Sequence, residues 1–134
     1  MLKTYRGSCH CGAVRFEAEI DLAAGTSRCN CTICAKQRAW GVIVKPDAFR
    51  LLAGQDSLGD YQWGMKVGHH HFCKVCGVRT HGQGDVPEIG GKYVGVAVSA
   101  LDDVAPEELA AAPVTYCDGL ANAWWQPPAV TAYL

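Results

Sequence analysis

The chain has 134 residues, of which 49% are hydrophobic and 19% charged, with a net charge of −1; that is enough apolar material for one domain over residues 1–134 and excludes a disordered chain. No basic run is present, which excludes the electrostatic footprint of a nucleic-acid binder or of an anionic-membrane binder. No apolar stretch approaches the ~20 residues of a membrane span, and Met1-Leu2-Lys3-Thr4-Tyr5-Arg6 lacks the apolar core of a secretory signal, so a cytoplasmic protein without membrane contact is expected.

The first thiols come early, in Gly7-Ser8-Cys9-His10-Cys11-Gly12. Residues 13–20 then alternate: Val14, Phe16, Ala18 and Ile20 share one face, and Arg15, Glu17 and Glu19 the other. That period predicts a half-buried antiparallel strand. Residues 23–27 read as a turn or loop. Cys29-Asn30-Cys31-Thr32-Ile33-Cys34 follows, too short and polar for a core element, with Thr32 placed to cap a brief helical turn through Ala35, Lys36 and Gln37.

Residues 40–44 form a short apolar run ended by Pro46 and read as a buried strand. Residues 47–49 suggest a turn, 50–53 a strand closed by Gly54, and 58–63 and 67–72 two further strands broken at Gly64. Then comes Cys73-Lys74-Val75-Cys76-Gly77, a C-x-x-C pair closed by glycine, which is the form of a zinc knuckle. Residues 78–83 are a plausible strand after it, which sets the knuckle at a hairpin tip. Residues 86–92 read as a loop, and 93–99 alternate as a strand. Residues 106–112 are the one good helical signal, with Pro106 in the first turn, Glu107 and Glu108 near the start and alanines after. Pro113 ends it, and residues 114–117 suggest a last strand. The tail Trp124-Trp125-Gln126-Pro127-Pro128 is apolar and stiff; it is expected to pack on the core or on a second subunit, the latter making a homodimer.

Seven of the eight cysteines therefore lie in three tight clusters, and only Cys117 stands alone. In a reducing compartment such clusters read as metal ligands rather than disulfides. Seven thiols suit one closed four-thiolate zinc site and one three-thiolate site with an open position, the mark of a catalytic zinc. Spacing alone leaves open which cluster pairs with which.

Among the other polar residues, His69, His70 and His71 cannot all converge on one metal, because alternate residues of a strand point to opposite faces. His10 is expected to point away from the metal, and His81 to be a surface or satisfied histidine. Cys117 reads as a buried small hydrophobe. The four tryptophans read as core or interface aromatics, and Arg28 and Lys36 as solvated charges.

The three motifs Gly7-Ser8-Cys9-His10-Cys11-Gly12-Ala13-Val14, Cys29-Asn30-Cys31-Thr32-Ile33-Cys34 and His70-His71-Phe72-Cys73-Lys74-Val75-Cys76-Gly77 resemble, in order, spacing and flanking residues, the glutathione-dependent formaldehyde-activating enzyme family, whose superfamily includes centromere protein V. Residues 94–102 share the likeness. The resemblance implies a mainly β fold, a β-tent of several small coiled antiparallel sheets with one short helix, anchored by zinc. It implies that Cys9, Cys11, Cys73 and Cys76 hold a structural zinc, and that Cys29, Cys31 and Cys34 hold a second, catalytic and more labile zinc. The implied activity is that of a carbon–sulfur lyase, an S-hydroxymethylglutathione synthase acting on glutathione or another small thiol and on formaldehyde or a related aldehyde. The alternative is a non-catalytic zinc scaffold that binds a partner or a small thiol.

The physics agrees with that division. A zinc between Cys9/Cys11 and Cys73/Cys76 closes a long loop, where a metal clip stabilises most. The contiguous Cys29–Cys34 cluster closes almost none, so its value is better sought in chemistry.

Overall fold

The alternation at residues 13–20 produces a strand whose inward row, Phe16, Ala18 and Ile20 with Val14 just before it, is buried almost completely. In the computed structural model, which describes residues 1–134, ten strands form two sheets. The strands are β1 (Lys3–Ser8), β2 (Arg15–Ile20), β3 (Thr26–Cys29), β4 (Gly41–Val44), β5 (Phe49–Ala53), β6 (Leu58–Tyr61), β7 (His69–Cys73), β8 (Arg79–Val86), β9 (Gly91–Ala97) and β10 (Val114–Cys117). The smaller sheet has the order β1-β2-β5, and the larger β10-β3-β4-β9-β8-β7-β6. All neighbours are antiparallel except β10 and β3, which run parallel with Cys117 opposite Cys29.

The fold is thus mainly β, as expected, with more strand pairing than the alternation patterns alone predict. Lys3–Ser8 is a strand with no strong pattern of its own, and Thr26–Cys29 is a strand where the composition suggests, in part, a turn. The structure has two short helices, α1 (Thr32–Gln37) and α2 (Pro106–Ala111). The first was anticipated only as a brief turn. Its N-cap is Cys31 rather than Thr32, and Arg38 closes it in the left-handed region at φ 48°. Further turns of 3-10 helix join strands, including Pro46–Ala48 and Pro87–Ile89.

The main core lies where the small sheet covers the middle of the large one. Tyr5, Phe16, Ile20, Val94, Val96 and Val98 are among its buried members, and Trp40, Phe49 and Leu51 pack at its margin. Burying this apolar surface drives the two sheets together, at roughly 25 cal/mol per Å². A second cluster of Cys9, Val14 and Cys73, with Leu51, Leu58 and Cys76 against it, forms the floor of the four-thiol site. No helix is long and apolar enough to cross a membrane.

Candidate metal centre

Two turns bring the first four thiols together. After β1 the chain reverses through Cys9 and Gly12, with Gly12 N–H donating to Cys9 O at 3.3 Å and Cys9 N–H to Val14 O at 3.0 Å. After β7 it reverses again, with Gly77 N–H donating to Cys73 O at 2.8 Å and Cys73 N–H to Val78 O at 3.0 Å. Gly12 and Gly77 have φ of 81° and 78°, a region that side chains rarely enter, so both turns need glycine. Leu58 pairs with Cys73 across β6 and β7, which fixes the knuckle at its hairpin end.

The sulfurs of Cys9, Cys11, Cys73 and Cys76 all lie within 4.8 Å of one another. Cys9 to Cys11 and Cys11 to Cys73 are each 3.7 Å. Four sulfurs at ~2.3 Å from one tetrahedral zinc would stand about 3.8 Å apart, so the spacing suits that ion. The backbone is arranged for negative sulfur as well: Val14 N–H donates to Cys9 Sγ and Val75 N–H to Cys73 Sγ, each at 3.3 Å. The Cys11 and Val78 N–H groups lower the Cys76 thiol to about 6. This group could hold a metal ion with no open position.

The second group is built at the junction of β3 and α1. Cys29 ends the strand, Cys31 caps the helix, and Cys34 lies in its first turn. Their sulfurs also lie within 4.8 Å of one another, with no fourth ligand in the group. All three are partly exposed. Cys31 N–H donates to Cys29 Sγ at 3.3 Å. Hydrogen bonds from the Cys31 and Cys34 thiols lower Cys29 to about 2, while Cys29, Cys31 and burial raise Cys34. The three sulfurs are therefore close enough to influence one another's ionisation, with Cys29 the most readily ionised.

The wall of this site comes from the far end of the chain, and sequence reasoning missed it. Asn30 is buried. Its Nδ2 donates to Asp118 Oδ1 at 2.9 Å, and its Oδ1 accepts from Leu120 N–H at 3.0 Å. Gly119 lies so close to the cluster that a Cβ there would stand 2.7 Å from Cys29 Sγ and 2.8 Å from the Trp124 ring. Trp124 Nε1–H donates to Asn122 Oδ1 at 2.9 Å. An asparagine between two cysteines was the one available signal. Its partners lie nearly ninety residues away.

The remaining candidates separate clearly. Cys117 is opposite Cys29 in register but outside the converging group, and burial raises its thiol. His10 is exposed. His81 is a buried core residue, hydrogen-bonded through Nδ1 to Thr80 Oγ1 at 2.9 Å and packed 4.5 Å from Phe49 and 4.8 Å from His71 between ring centroids. Arg28 lies over the Trp40 ring at 5.0 Å rather than in solvent alone. Trp125 is 80% exposed and Trp124 51%, so neither is a core aromatic.

His69 and His71 do share one face, with rings 5.8 Å apart and nearly parallel, and Asp60 stands beside them. Their ring nitrogens are engaged otherwise. His69 Nδ1 meets Asp60 Oδ2 at 2.7 Å, and its Nε2 accepts from the Gln62 amide; His71 Nδ1 meets Gly59 O at 3.2 Å. This trio is a hydrogen-bonded brace for the β6–β7 hairpin.

The comparisons with known proteins agree with the thiol motifs. The sequence model of the glutathione-dependent formaldehyde-activating enzyme family matches residues 4–119. A Halomonas elongata protein that carries the same family name is 36% identical over 78 residues, which is 52% of this chain and 50% of that one. The chain thus matches about half the length of this curated relative. A crystal structure of a Rhodobacter sphaeroides protein, a structural-genomics target, superposes with a TM-score of 0.68 at 35% identity, over 82% of this chain and 99% of that one.

Proposed function

The chain belongs to the glutathione-dependent formaldehyde-activating enzyme family, and from that premise we propose that it is a zinc-dependent carbon–sulfur lyase-type enzyme. Its substrates are glutathione or another small thiol and formaldehyde or a related small aldehyde. Residues 1–134 form one zinc-binding domain of the cytoplasm. Cys9, Cys11, Cys73 and Cys76 hold a structural zinc, and Cys29, Cys31 and Cys34 a second, catalytic one.

The observation that carries this reading is the three-thiol group with no fourth ligand. A purely structural site would close its coordination with a protein side chain, and Cys117, the remaining cysteine, is not in the group. That count favours the enzyme over the non-catalytic scaffold.

A metal held by three thiolates supplies an open position at which an incoming thiol ionises near neutral pH. The chain's own residues do the rest. Cys29, Cys31 and Cys34 fix the place at which the substrate sulfur arrives. Gly119 keeps that place open by lacking a side chain, and Asn30 with Asp118 holds the covering loop in register. In the forward direction the substrate sulfur forms a bond to the aldehyde carbon, the carbonyl π bond breaks, and the thiol proton ends on the carbonyl oxygen. The reverse expels the aldehyde. No electrons are exchanged with a third party.

The test is aldehyde–thiol exchange, followed by NMR with labelled formaldehyde and glutathione on zinc-loaded protein. Acceleration by the native chain, lost in Cys31→Ser while the fold and one zinc persist, is expected. No acceleration by a chain that holds two zincs would sink the enzyme reading in favour of the scaffold.

A further inference from the structure

On the face of the large sheet opposite the core, a cavity of about 560 Å³ lies between α1 and the strands β6, β7 and β8. Strand alternation helps to put it there: Cys73 turns toward the core side, while Tyr61, His70 and Phe72 turn outward, and His71 reaches its edge. From above, α1 closes the space with Lys36 and Gln37. Cys31 and Cys34 do not line it; at 3.6 residues per turn they fall on the other side of the helix. The cavity is therefore separate from the three-thiol group, although one helix of six residues borders both.

Its chemistry is one-sided. Lys36 and Arg79 bring two cations, and no acidic residue lines the walls. Neither cation has a carboxylate partner elsewhere. Arg79 Nη1–H donates to Gln37 Oε1 at 3.0 Å, but Arg79 Nε is buried with no partner. His70 Nδ1, lining the same cavity, is the other buried and unpartnered side-chain polar atom of the chain. A buried polar atom left without a partner is unfavourable, and these two belong to residues that border one space.

The guanidinium is also seated deliberately. Gly82 lies opposite His70 in the sheet. A Cβ there would stand 2.6 Å from His69 O and 3.2 Å from Arg79 Nη2. The missing side chain leaves Arg79 a flat bed on the strand, with its fork of donors held in one plane.

We propose that this cavity is a carboxylate-binding site, with Arg79 as its anchoring fork, Lys36 as a second charge and His70 as a hydrogen-bond partner. Tyr61 and Trp63 cover the apolar part of the ligand. Planar carboxylates match an arginine fork in geometry and charge, and the aromatic walls favour an organic acid over a bare inorganic anion. Two sources present that group: a carboxylate of the thiol substrate reaching past α1, or a separate small organic acid.

The experiment uses zinc-loaded, nitrogen-15-labelled full chain and follows the Arg79 Nε–H resonance, assigned by its disappearance in Arg79→Gln. The probes are sodium benzoate and S-methylglutathione, whose blocked sulfur cannot react. A saturable shift of that resonance is expected in the native chain, and the same titration followed on the backbone amides of β8, which both variants retain, should show affinity falling about tenfold or more in Arg79→Gln and in Gly82→Val. A response to S-methylglutathione alone assigns the site to the substrate's carboxylate, and a response to benzoate as well assigns it to separate organic acids. A resonance that neither probe moves at about ten millimolar, or an equal affinity in Arg79→Gln, overturns the proposal. The titration of the unsubstituted chain decides even where a variant fails to fold. Formaldehyde exchange with cysteamine, a thiol without a carboxylate, reports on the three-thiol group independently.

Discussion

Asn30 and Asp118 are joined by a side-chain hydrogen bond of 2.9 Å across 88 residues of sequence, and that bond ties the middle of the three-thiol group to the loop that covers it. Since Asn30 also accepts from Leu120 N–H, one buried amide fixes both the cysteines beside it and the wall above them.

Asn30→Ala should therefore loosen the second site without touching the first. Residues that orient metal ligands typically account for 10–100-fold in metal affinity. Zinc transfer to a competing chelator should become about tenfold faster for one of two zincs and stay unchanged for the other. Equal release rates from variant and native chain would show that the amide does not support the site.

Zinc per chain separates the two groups. After reconstitution with excess zinc and removal of loosely held metal, the native chain should hold two ions, and Cys31→Ser one with an unchanged circular-dichroism spectrum. Cys73→Ser should fail to fold at ordinary temperature. Its sulfur is fully buried, and a structural zinc site in peptide models is worth about 10–16 kcal/mol, as much as a small domain's whole stability. A folded Cys73→Ser chain with one zinc would reverse the assignment of roles.

Gly119→Ala places a methyl group against Cys29 Sγ. Overpacking of this kind costs about 1–3 kcal/mol, and here the loop rather than the core must yield. The expected result is a lower exchange rate and weaker retention of the second zinc, with a thermal midpoint close to native. Unchanged exchange would mean that the loop moves aside freely.

Burial, then the charges of His71 and Arg79, lower His81 to about 4 from an ordinary 6.5. Its contribution is thus fully present above pH 6.5 and fades as pH falls toward 4, because the unfolded chain takes up a proton that the folded chain refuses. The loss amounts to roughly 3 kcal/mol over that window. Denaturant unfolding at saturating zinc should show a stability slope between pH 6.5 and 4 that flattens in His81→Phe. The same slope in both proteins would count against a neutral buried imidazole.

The parts that were legible in the sequence are those whose cause is local. The strict alternation from Val14 to Ile20 needs only its own side chains, and Val114–Cys117 was found with its bounds intact. The thiol clusters were legible because their cysteines come as two tight pairs and one triplet within six residues. Thr26–Cys29 was not, since its side chains are mostly polar and only half buried. It is a strand because β10 pairs beside it and because Thr26 Oγ1–H donates to Pro113 O while accepting from Trp40 Nε1–H. Gly119 and Asp118 were likewise invisible. Nothing in their own neighbourhood marks them, and their role comes from contact with residues nearly ninety positions earlier.

The parallel register of β10 against β3, with Cys117 opposite Cys29, also sets an order of assembly. A chain emerging from the ribosome has presented Cys29, Cys31 and Cys34 long before the segment that walls them exists, and it completes its four-thiol partner only at Cys76. Early in synthesis all three thiols stand unshielded. The last strand is thus added late, and a nascent chain that stalls before residue 114 presents the three thiols without the Gly119 and Trp124 side of their site.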